Sequence, residues 1–204
     1  MPGLLIAFEG LDQSGKQTQA ERLRDALTAS GRHVRLLSFP NHATPIGHEI
    51  RLALAGDRHY AAEVLQLLYV ANRYESRSDI AADLGRGTIV LCDRYIASSV
   101  AYGEAQGLDP SWLAAVQQRL PQPDLTILLD ILPEVSARRK QMGRDRFEQD
   151  LALLARVRES YLRQAAAGGW VRLDADRPRD VVAADVASTV SHRLMSPASG
   201  RHQP

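Results

Sequence analysis

Short apolar runs alternate with longer amphipathic stretches along the chain. Each apolar run has the length and composition expected of a strand that is covered on both faces. The predicted strands are residues 4–8, 33–39, 88–92, 125–130 and 170–174. The predicted helices, several of which begin with Asp, Ser or Pro, are residues 16–30, 60–84, 110–120, 133–141, 147–167 and 179–194. Strands that alternate with helices predict a three-layer α/β/α fold around a five-stranded parallel sheet.

Candidate functional residues follow every predicted strand. They are residues 9–16 after the first strand, 39–41 at the second, 93–95 after the third, Asp130 at the fourth and 174–175 at the fifth. An open parallel sheet binds its ligands at the carboxyl ends of its strands. We therefore expect these residues to converge on one edge of the sheet.

The first predicted strand runs into a glycine-containing loop. Its sequence, Gly10-Leu11-Asp12-Gln13-Ser14-Gly15-Lys16, has the G-x-x-x-x-G-K spacing of a phosphate-binding loop. Glycines let the backbone curl so that its N–H groups point at phosphate oxygens, and the helix that follows adds the positive end of its dipole. Lys16 adds a formal charge at the β/γ-phosphates. A glycine-rich turn can share this spacing, but the strand before it and the helix after it favour a nucleotide-phosphate site.

One position departs from this motif. A Ser or Thr usually follows the lysine and binds Mg²⁺, whereas Gln17 stands there and Thr18 comes one residue later. The side-chain carbonyl of a glutamine is a longer metal ligand. We therefore expect Mg²⁺ to be held partly through water or by other carboxylates.

The composition is that of an ordinary globular protein. The chain has 204 residues, of which 45% are hydrophobic and 24% charged, and its net charge is +1. This predicts a single domain over residues 1–195 and gives no reason to expect a nucleic-acid or membrane surface. Cys92 is the only cysteine, which excludes an internal disulfide and fits a reducing cytoplasm.

The two ends of the chain carry little chemistry. Residues 1–3 lead straight into the first strand without a basic and hydrophobic leader, and no apolar run reaches membrane-spanning length, so we expect no export signal. Residues 196–204 are polar and broken by Pro and Gly, and they are predicted to be disordered.

Two further segments have both a structural and a functional interpretation. Asp93 to Tyr95 follow the third strand, and taken alone they fit a capped helix start as well as a binding site. Residues 67–75 taken alone fit an ordinary helix, with Tyr69 in the core and Arg73 paired with a surface acid. The combination of segments decides between these interpretations.

The order and spacing of six segments resemble the thymidylate kinases, the nucleoside-monophosphate kinases that phosphorylate dTMP. The segments are F-E-G-L-D-x-x-G-K, F-P-N, L-L-Y-V-A-N-R, D-R-Y-x-x-S-S-x-A-Y, L-P-Q-P-D-L and G-R-D-R-F-E. The resemblance runs from about residue 4 to about residue 186. It implies a P-loop NTPase-type fold, ATP-dependent conversion of dTMP to dTDP, Mg²⁺ as cofactor, and a homodimer to which the helix predicted over residues 60–84 contributes.

The resemblance implies a donor site built on the glycine loop, in which Lys16 and the loop amides hold the β/γ-phosphates of ATP. Arg139 matches a position that stacks on adenine, and Ala175 matches, weakly, a loop on the adenine side. The implied ATP-binding residues are Gly10, Gln13, Ser14, Gly15, Lys16, Gln17, Thr18, Arg139 and Ala175. The implied metal ligands, partly through water, are Asp12, Asp93 and Gln17.

The resemblance also implies the acceptor site. Tyr69 matches the aromatic that stacks on thymine, and Arg73 matches the residue that hydrogen-bonds the base O4. Tyr102 matches the aromatic that leaves no room for a ribose 2'-hydroxyl, and Ser99 would face N3 of the base. The implied dTMP-binding residues are Asp12, Phe39, Pro40, Tyr69, Arg73, Arg94, Ser98, Ser99 and Tyr102, of which Arg94 would hold the phosphate and Asp12 the sugar 3'-hydroxyl. Gly103 stands where the family often has Gln, Thr or Ser, so one polar contact to the base is missing.

A basic segment follows the fourth strand and matches the mobile lid of the family, residues 138–149. Five of the nine positions from Arg138 to Arg146 are basic, a pattern that a solvated helix end can also show. Family members place an extra catalytic arginine either in the P-loop or in the lid. Because Gln13 occupies the P-loop place, the resemblance implies that Arg144 and Arg146 act on the transferring phosphoryl group. The implied catalytic set is Lys16, Asp12, Arg94, Arg144 and Arg146.

Three other functions fit parts of the pattern. A kinase for dCMP, UMP or AMP would share the loop and the lid, although the aromatic and arginine residues of the acceptor set favour dTMP. A deoxynucleoside kinase would need a carboxylate base near the acceptor hydroxyl, and residues 40–41 carry none. A nucleotide-binding regulator without transferase activity is the third, and Gln17 is the residue that supports it.

Overall fold

A computed structural model describes residues 3–139 and 150–195 of the chain, which form a single five-stranded sheet with helices around it. Its strands are Leu4–Glu9 (β1), Val34–Ser38 (β2), Ile89–Asp93 (β3), Leu125–Asp130 (β4) and Val171–Asp174 (β5). They are all parallel and lie in the order β2-β3-β1-β4-β5. The prediction of a five-stranded parallel sheet is confirmed, and its strands all have their carboxyl ends at one edge.

Helices pack on both faces of the sheet. They are Lys16–Ala29 (α1), Pro45–Ala55 (α2), Ala62–Glu75 (α3), Arg77–Gly85 (α4), Ile96–Ala105 (α5), Pro110–Ala115 (α6), Pro133–Arg139 (α7), Leu151–Gly168 (α8) and Arg179–Met195 (α9). Alternate residues of β1 enter two apolar clusters: Ile6 and Phe8 join one, and Leu5 and Ala7 join the other. Because both faces are covered, the central strands are continuous apolar runs rather than alternating ones.

The prediction of one helix over residues 60–84 is wrong. The chain forms α3 and α4, which meet at Ser76. The Ser76 N–H donates to the Arg73 carbonyl at 3.1 Å, and this i→i+3 bond closes the last turn of α3. The break lets α3 pack against α2 and α5 while α4 packs against β3.

Two helices were not predicted. Helix α2 begins at Pro45 after Thr44, whose hydroxyl accepts from the Gly47 N–H at 3.0 Å. Helix α5 begins without a side-chain cap and consists mainly of small residues, which give little amphipathic pattern. The helix predicted over residues 110–120 is also shorter than expected: α6 ends at Ala115.

Several predictions concern residues outside the described ranges. They are the greater part of the lid, the ends of the helices predicted at 133–141 and 147–167, and the disordered tail over residues 196–204. Within the described ranges, α8 begins after Asp150, whose carboxylate accepts from the Leu153 N–H at 2.9 Å. No helix in the described part of the chain is long and apolar enough to cross a lipid bilayer.

Candidate active site

The loop between β1 and α1 has the geometry that its two glycines predict. Gly10 has a φ of +141°, and a Cβ there would lie 2.4 Å from the Leu129 carbonyl oxygen of β4. Gly15 has a φ of +94° and is the residue from which α1 begins. Both backbone conformations are ones that side chains rarely adopt. The loop therefore curls tightly against β4 and leads directly into the helix N-terminus.

Lys16 is the cation of this loop. Its side chain is only 6% exposed, and Nζ donates to the Leu11 carbonyl at 2.8 Å. Burial and the neighbouring charge of Arg94 together lower the pKa of Lys16 to about 8, against the opposing effect of Asp12 and other acids. A bound polyanion would favour the charged form, so the loop is suited to receive one.

Arg94 lies at the centre of the site, directly after β3, with a left-handed φ of +64°. Its Nη2 donates to Asp12 Oδ1 at 2.6 Å and to the Tyr102 hydroxyl at 3.3 Å. Its Nη1 donates at 3.2 Å to each of three oxygens, those of the Gly10 carbonyl, Ser98 Oγ and the Tyr161 hydroxyl. The guanidinium is thus held in one orientation by three elements of the fold, namely the glycine loop, α5 and α8.

Asp12 is the anionic partner of Arg94. Its second oxygen, Oδ2, accepts from the Tyr102 hydroxyl at 2.9 Å. Burial alone raises the pKa of the Asp12 carboxyl, but the charges of Arg94 and Lys16 and the hydrogen bonds from Arg94 and Tyr102 outweigh burial and hold that pKa well below its usual value. Asp12 is therefore ionised at neutral pH.

A buried carboxylate supports Arg94 from below. Glu9 is fully buried and accepts from the Tyr95 N–H at 2.8 Å, from Ser98 Oγ at 2.7 Å and from the Tyr161 hydroxyl at 3.1 Å. Glu9 lies within the recognised β1 segment, but no role was predicted for it. Tyr161 comes from α8, and no local pattern distinguishes it from a core tyrosine.

A pocket of about 180 Å³ opens beside Arg94. It is lined by every residue predicted for the acceptor, namely Asp12, Phe39, Pro40, Tyr69, Arg73, Arg94, Ser98, Ser99 and Tyr102. Leu54 and Gln66 also line it, and neither was predicted. We call this space the acceptor pocket.

Arg73 lines the acceptor pocket and is 2% exposed. The alternative in which it pairs with a surface acid is wrong. Its Nη1 donates to Ser99 Oγ at 2.7 Å, to the Tyr69 carbonyl at 3.2 Å and to Gln117 Oε1 at 3.4 Å. Burial lowers the pKa of Arg73, so a hydrogen-bond acceptor brought into the pocket would meet a poorly solvated guanidinium.

A second pocket, of about 590 Å³, lies over the glycine loop, and we call it the donor pocket. Except for Gly10, the predicted ATP-binding residues all line it: Gln13, Ser14, Gly15, Lys16, Gln17, Thr18, Arg139 and Ala175. Sequence reasoning missed a group on α1, on β2 and at the start of α9, namely Gln19, Ser38, Arg177, Pro178, Arg179 and Val182. Asp12, Phe39 and Arg94 line both pockets, so the pockets adjoin at the Asp12–Arg94 pair.

Arg139, the last residue of α7, bridges two loops of the donor pocket. Its Nη1 donates to the Gln13 carbonyl at 3.0 Å, and its Nη2 donates to the Ala175 carbonyl at 2.9 Å and to Asp176 Oδ1 at 3.0 Å. These bonds use the edge of the guanidinium. Its flat face remains suited to stacking.

The predicted metal ligands differ in their positions. Asp93 lines the donor pocket, and its Oδ1 is buried with no hydrogen-bond partner in the described ranges, as an acceptor kept for a hydrated cation would be. The Gln17 amide instead donates to Glu21 Oε1 at 2.9 Å on the exposed side of α1. No cluster of three or more acidic, His or Cys residues suited to a metal occurs in residues 3–139 and 150–195. A site built on Asp93, with Asp12 nearby, would therefore rely on water and nucleotide oxygens.

Asp130 was expected among the site residues at this edge of the sheet, but it binds two arginines instead. Asp130, at the end of β4, accepts from Arg158 Nε at 2.7 Å and from Arg172 Nη2 at 2.7 Å. Both its oxygens are thus bound by arginines of α8 and β5, and it lies in a separate groove. Arg144 and Arg146, predicted to act on the phosphoryl group, lie outside the described residues.

Comparisons of the sequence and of the structure with known proteins find the same family, the thymidylate kinases. The model of the family described as Thymidylate kinase matches residues 8–186. Thymidylate kinase of Dictyostelium discoideum is 33% identical over 91% of this chain and 84% of that protein, and thymidylate kinase of Paracidovorax citrulli is 35% identical over 94% of each. Among solved structures, thymidylate kinase from Candida albicans has a TM-score of 0.81 at 29% identity, over 95% of this chain and 93% of that one.

Proposed function

The chain belongs to the thymidylate kinase family and phosphorylates dTMP to dTDP, and we propose that ATP with Mg²⁺ is the donor and that the two pockets divide the substrates between them. ATP occupies the donor pocket and dTMP the acceptor pocket. The observation that carries this proposal is that Asp12 and Arg94 line both pockets. The acceptor phosphate and the γ-phosphate then meet at a single guanidinium.

In the donor pocket, Lys16 and the loop amides bind the β/γ-phosphates. Arg139 stacks on the adenine through the face that its hydrogen bonds leave available, and the loop at Ala175 borders the base. Asp93 and, through water, Asp12 would hold Mg²⁺, which when bound neutralises charge on the transferring phosphates. The contact between Gln17 and Glu21 makes Gln17 the weakest of the proposed ligands.

In the acceptor pocket, Tyr69 stacks on the base, while Arg73 donates to the O4 carbonyl and Ser99 faces N3. The Tyr102 ring is anchored through its hydroxyl to Asp12 and fills the space that a ribose 2'-hydroxyl would need. Phe39 and Pro40 form another wall of the pocket. Each residue contributes shape or a directed donor, which is how a site selects one monophosphate.

The chemistry needs positioning and charge neutralisation rather than a strong base. A dTMP phosphate is already an anion at neutral pH, and its attacking oxygen must be held in line with the γ-phosphorus. Arg94 binds this phosphate and is itself held by Asp12, Ser98 and Tyr161. An oriented donor requires no reorganisation during the reaction, which is the physical source of its catalytic effect.

A substrate panel tests the proposed function. We expect ATP-dependent ADP release with dTMP, with dUMP poorer by about 10- to 200-fold in kcat/KM because it lacks only the methyl group. We expect dCMP to be poorer by about 10⁴-fold, because its amino group would face the donors of Arg73. A coupled assay with ATP, Mg²⁺ and dTMP, dUMP, dCMP, UMP or AMP measures these ratios. Activity confined to another monophosphate, or nucleotide binding without turnover, would contradict the proposal.

The lid arginines provide a separate test. We propose that Arg144 and Arg146 neutralise the transferring phosphoryl group, since Gln13 supplies no cation in the P-loop. Arg144→Ala is expected to lower kcat by about 10²- to 10³-fold with a much smaller change in the KM for dTMP. Arg138→Ala, which removes a side chain that is 70% exposed, is the matched control and should have little effect. Steady-state kinetics in which only the KM of Arg144→Ala changes would rule out this role.

We also propose a homodimer in the cytoplasm. Val64 and Leu67, both more than 40% exposed, give α3 an apolar outer face of the kind that a second copy covers. The single cysteine, Cys92, is buried, and burial raises the pKa of its thiol, so it is an inert core residue compatible with a reducing compartment.

A further inference from the structure

Gln66 is a buried polar side chain whose amide makes no hydrogen bond within the described part of the chain. It lies on α3 and is 1% exposed. Neither Oε1 nor Nε2 has a hydrogen-bond partner in residues 3–139 and 150–195. Buried amide groups are nearly always hydrogen-bonded, so two unpaired atoms on one side chain require an explanation.

The position of Gln66 suggests what satisfies it. Gln66 lines the acceptor pocket, and it precedes Tyr69 by three residues and Arg73 by seven, so all three lie on one face of α3. Its amide is therefore on the same wall as the residues proposed to bind the base. A ligand that enters this end of the pocket is the natural partner for its two atoms.

The neighbouring helix offers no polar side chain at this point. A Cβ on Gly103 of α5 would lie 2.4 Å from Leu113 Cδ1 and 3.4 Å from Gln66 Cγ. Any side chain at Gly103 would have to displace Leu113, so the space beside Gly103 is already filled by the stem of Gln66 and by Leu113. Position 103 therefore contributes no polar atom here, whereas α3 contributes the Gln66 amide.

We propose that Gln66 is a specificity-determining residue that binds the polar edge of the acceptor's pyrimidine ring. Its Nε2 donates to a ring carbonyl, and its Oε1 accepts from N3–H. A side-chain amide presents a donor beside an acceptor, which is complementary to the adjacent carbonyl and N–H of a thymine or uracil ring. The inference rests on the proposed placement of dTMP in the acceptor pocket.

Arg73 and Ser99 leave this role open. A guanidinium has donors only, so Arg73 cannot accept from N3–H. The Ser99 hydroxyl already accepts from Arg73 Nη1 at 2.7 Å, so only its second lone pair remains for N3–H, whereas Gln66 Oε1 has no partner in residues 3–139 and 150–195. Gln66 Oε1 supplies the acceptor that the imide edge of the base needs.

The test replaces Gln66 by Met, which keeps the length of the side chain and removes both polar atoms. We expect the KM for dTMP to rise about tenfold, with kcat and the KM for ATP within about threefold of wild type. Gln118→Met, at an exposed position in the turn that follows α6, is the matched control and should leave all three constants unchanged. An unchanged KM for dTMP in Gln66→Met would overturn the inference.

Thermal unfolding of the ligand-free variants separates binding from structure. If the amide is kept for the ligand, Gln66→Met removes two unpaired polar atoms and its Tm equals or exceeds that of the wild type. If Gln66 instead stabilises the free protein, the Tm falls while the KM for dTMP stays the same, and the inference fails.

Calorimetric titration with thymidine separates this inference from the proposed function. Thymidine has no phosphate, so its binding reports the base end of the pocket alone. Weaker thymidine binding by Gln66→Met than by the wild type supports the inference even if dTMP is not turned over, in which case only the proposed function fails. Equal affinities, or no thymidine binding by the wild type, would refute the role of Gln66.

Discussion

Arg94→Met is expected to lower kcat/KM for dTMP by about 10³-fold or more. The substitution removes the charge that both pockets share, and with it the donors that orient the acceptor phosphate. Initial-rate measurements with varied dTMP at saturating ATP check this. Activity within tenfold of wild type would contradict the central role given to Arg94.

The same substitution is expected to destabilise the protein. Loss of Arg94 leaves the Asp12 carboxylate, whose side chain is 27% exposed, without its 2.6 Å ion pair. Breaking a fully buried pair typically costs about 3–5 kcal/mol, so we expect a smaller loss for this partly exposed one. The folded pKa of Asp12 lies below its unfolded value, so the stability from this pair is present at neutral pH and is lost on acidification through the folded pKa. The stability difference between Arg94→Met and wild type should therefore be full at pH 7 and shrink in strong acid.

Two further variants separate activity from stability. The double variant Arg94→Met/Asp12→Asn removes the unpaired charge, so it should regain much of the stability but none of the activity. Arg158→Met removes a partner of Asp130, a carboxylate in a separate groove, and should lower the Tm while leaving kcat/KM unchanged. If the double variant recovers activity as well, Arg94 acts only by maintaining the fold.

Lys16→Met is expected to lower kcat by about 10³-fold, because it removes the only formal charge proposed at the β/γ-phosphates within the P-loop. The Tm of the ligand-free variant should not fall, since the folded protein disfavours the charged form of Lys16. Rapid-mix single-turnover rates and thermal unfolding measure the two effects. Loss of activity together with loss of the fold would leave no special role for Lys16 in transfer.

Lys16 also predicts a pH dependence. Burial lowers its pKa from 10.5 to about 8 in the free protein, whereas bound phosphate favours the charged form. The charged form binds ATP, so the KM for ATP should be constant below pH 8 and rise by up to about tenfold per pH unit above it. Burial raises the pKa of Tyr102 and Tyr161 well above the usual value, so these two tyrosines do not titrate in this range. A KM for ATP that does not change up to about pH 10 would contradict the assignment.

The support beneath the site explains why Arg94 can hold one orientation. Glu9 binds the backbone of Tyr95 and the hydroxyls of Ser98 and Tyr161, and the last two in turn accept from Arg94. Arg94 has a left-handed backbone conformation directly after β3, and its side chain takes its orientation from these hydrogen bonds. The buried Glu9 carboxylate thus positions Arg94 indirectly, through Ser98 and Tyr161.

Local patterns predicted much of the molecule. Mostly apolar runs located all five strands to within one residue. The central strands β1, β3 and β4 are mostly apolar because both of their faces are covered, whereas the edge strands β2 and β5 carry Arg35 and Arg172. The single helix expected over residues 60–84 failed because Ser76 carries no strong breaking signal, and the i→i+3 turn that separates α3 from α4 depends on what each helix packs against.

By itself, the sequence determined the parallel sheet, the phosphate-binding loop and, through its resemblance to the family, every residue of the acceptor pocket except Leu54 and Gln66. The sheet follows from the periodicity of apolar residues, and the loop from two glycines and a lysine at a fixed spacing. The acceptor residues follow from short motifs in which several contact residues lie close together in the sequence. Only the tertiary structure decided which polar side chains share partners. Asp130 is bound by Arg158 and Arg172, whereas Gln66, beside the acceptor pocket, has no hydrogen-bond partner among the residues that the structure describes. The physical reason is that a hydrogen bond between distant segments depends on distances of a few tenths of an ångström, and no single stretch of sequence contains them.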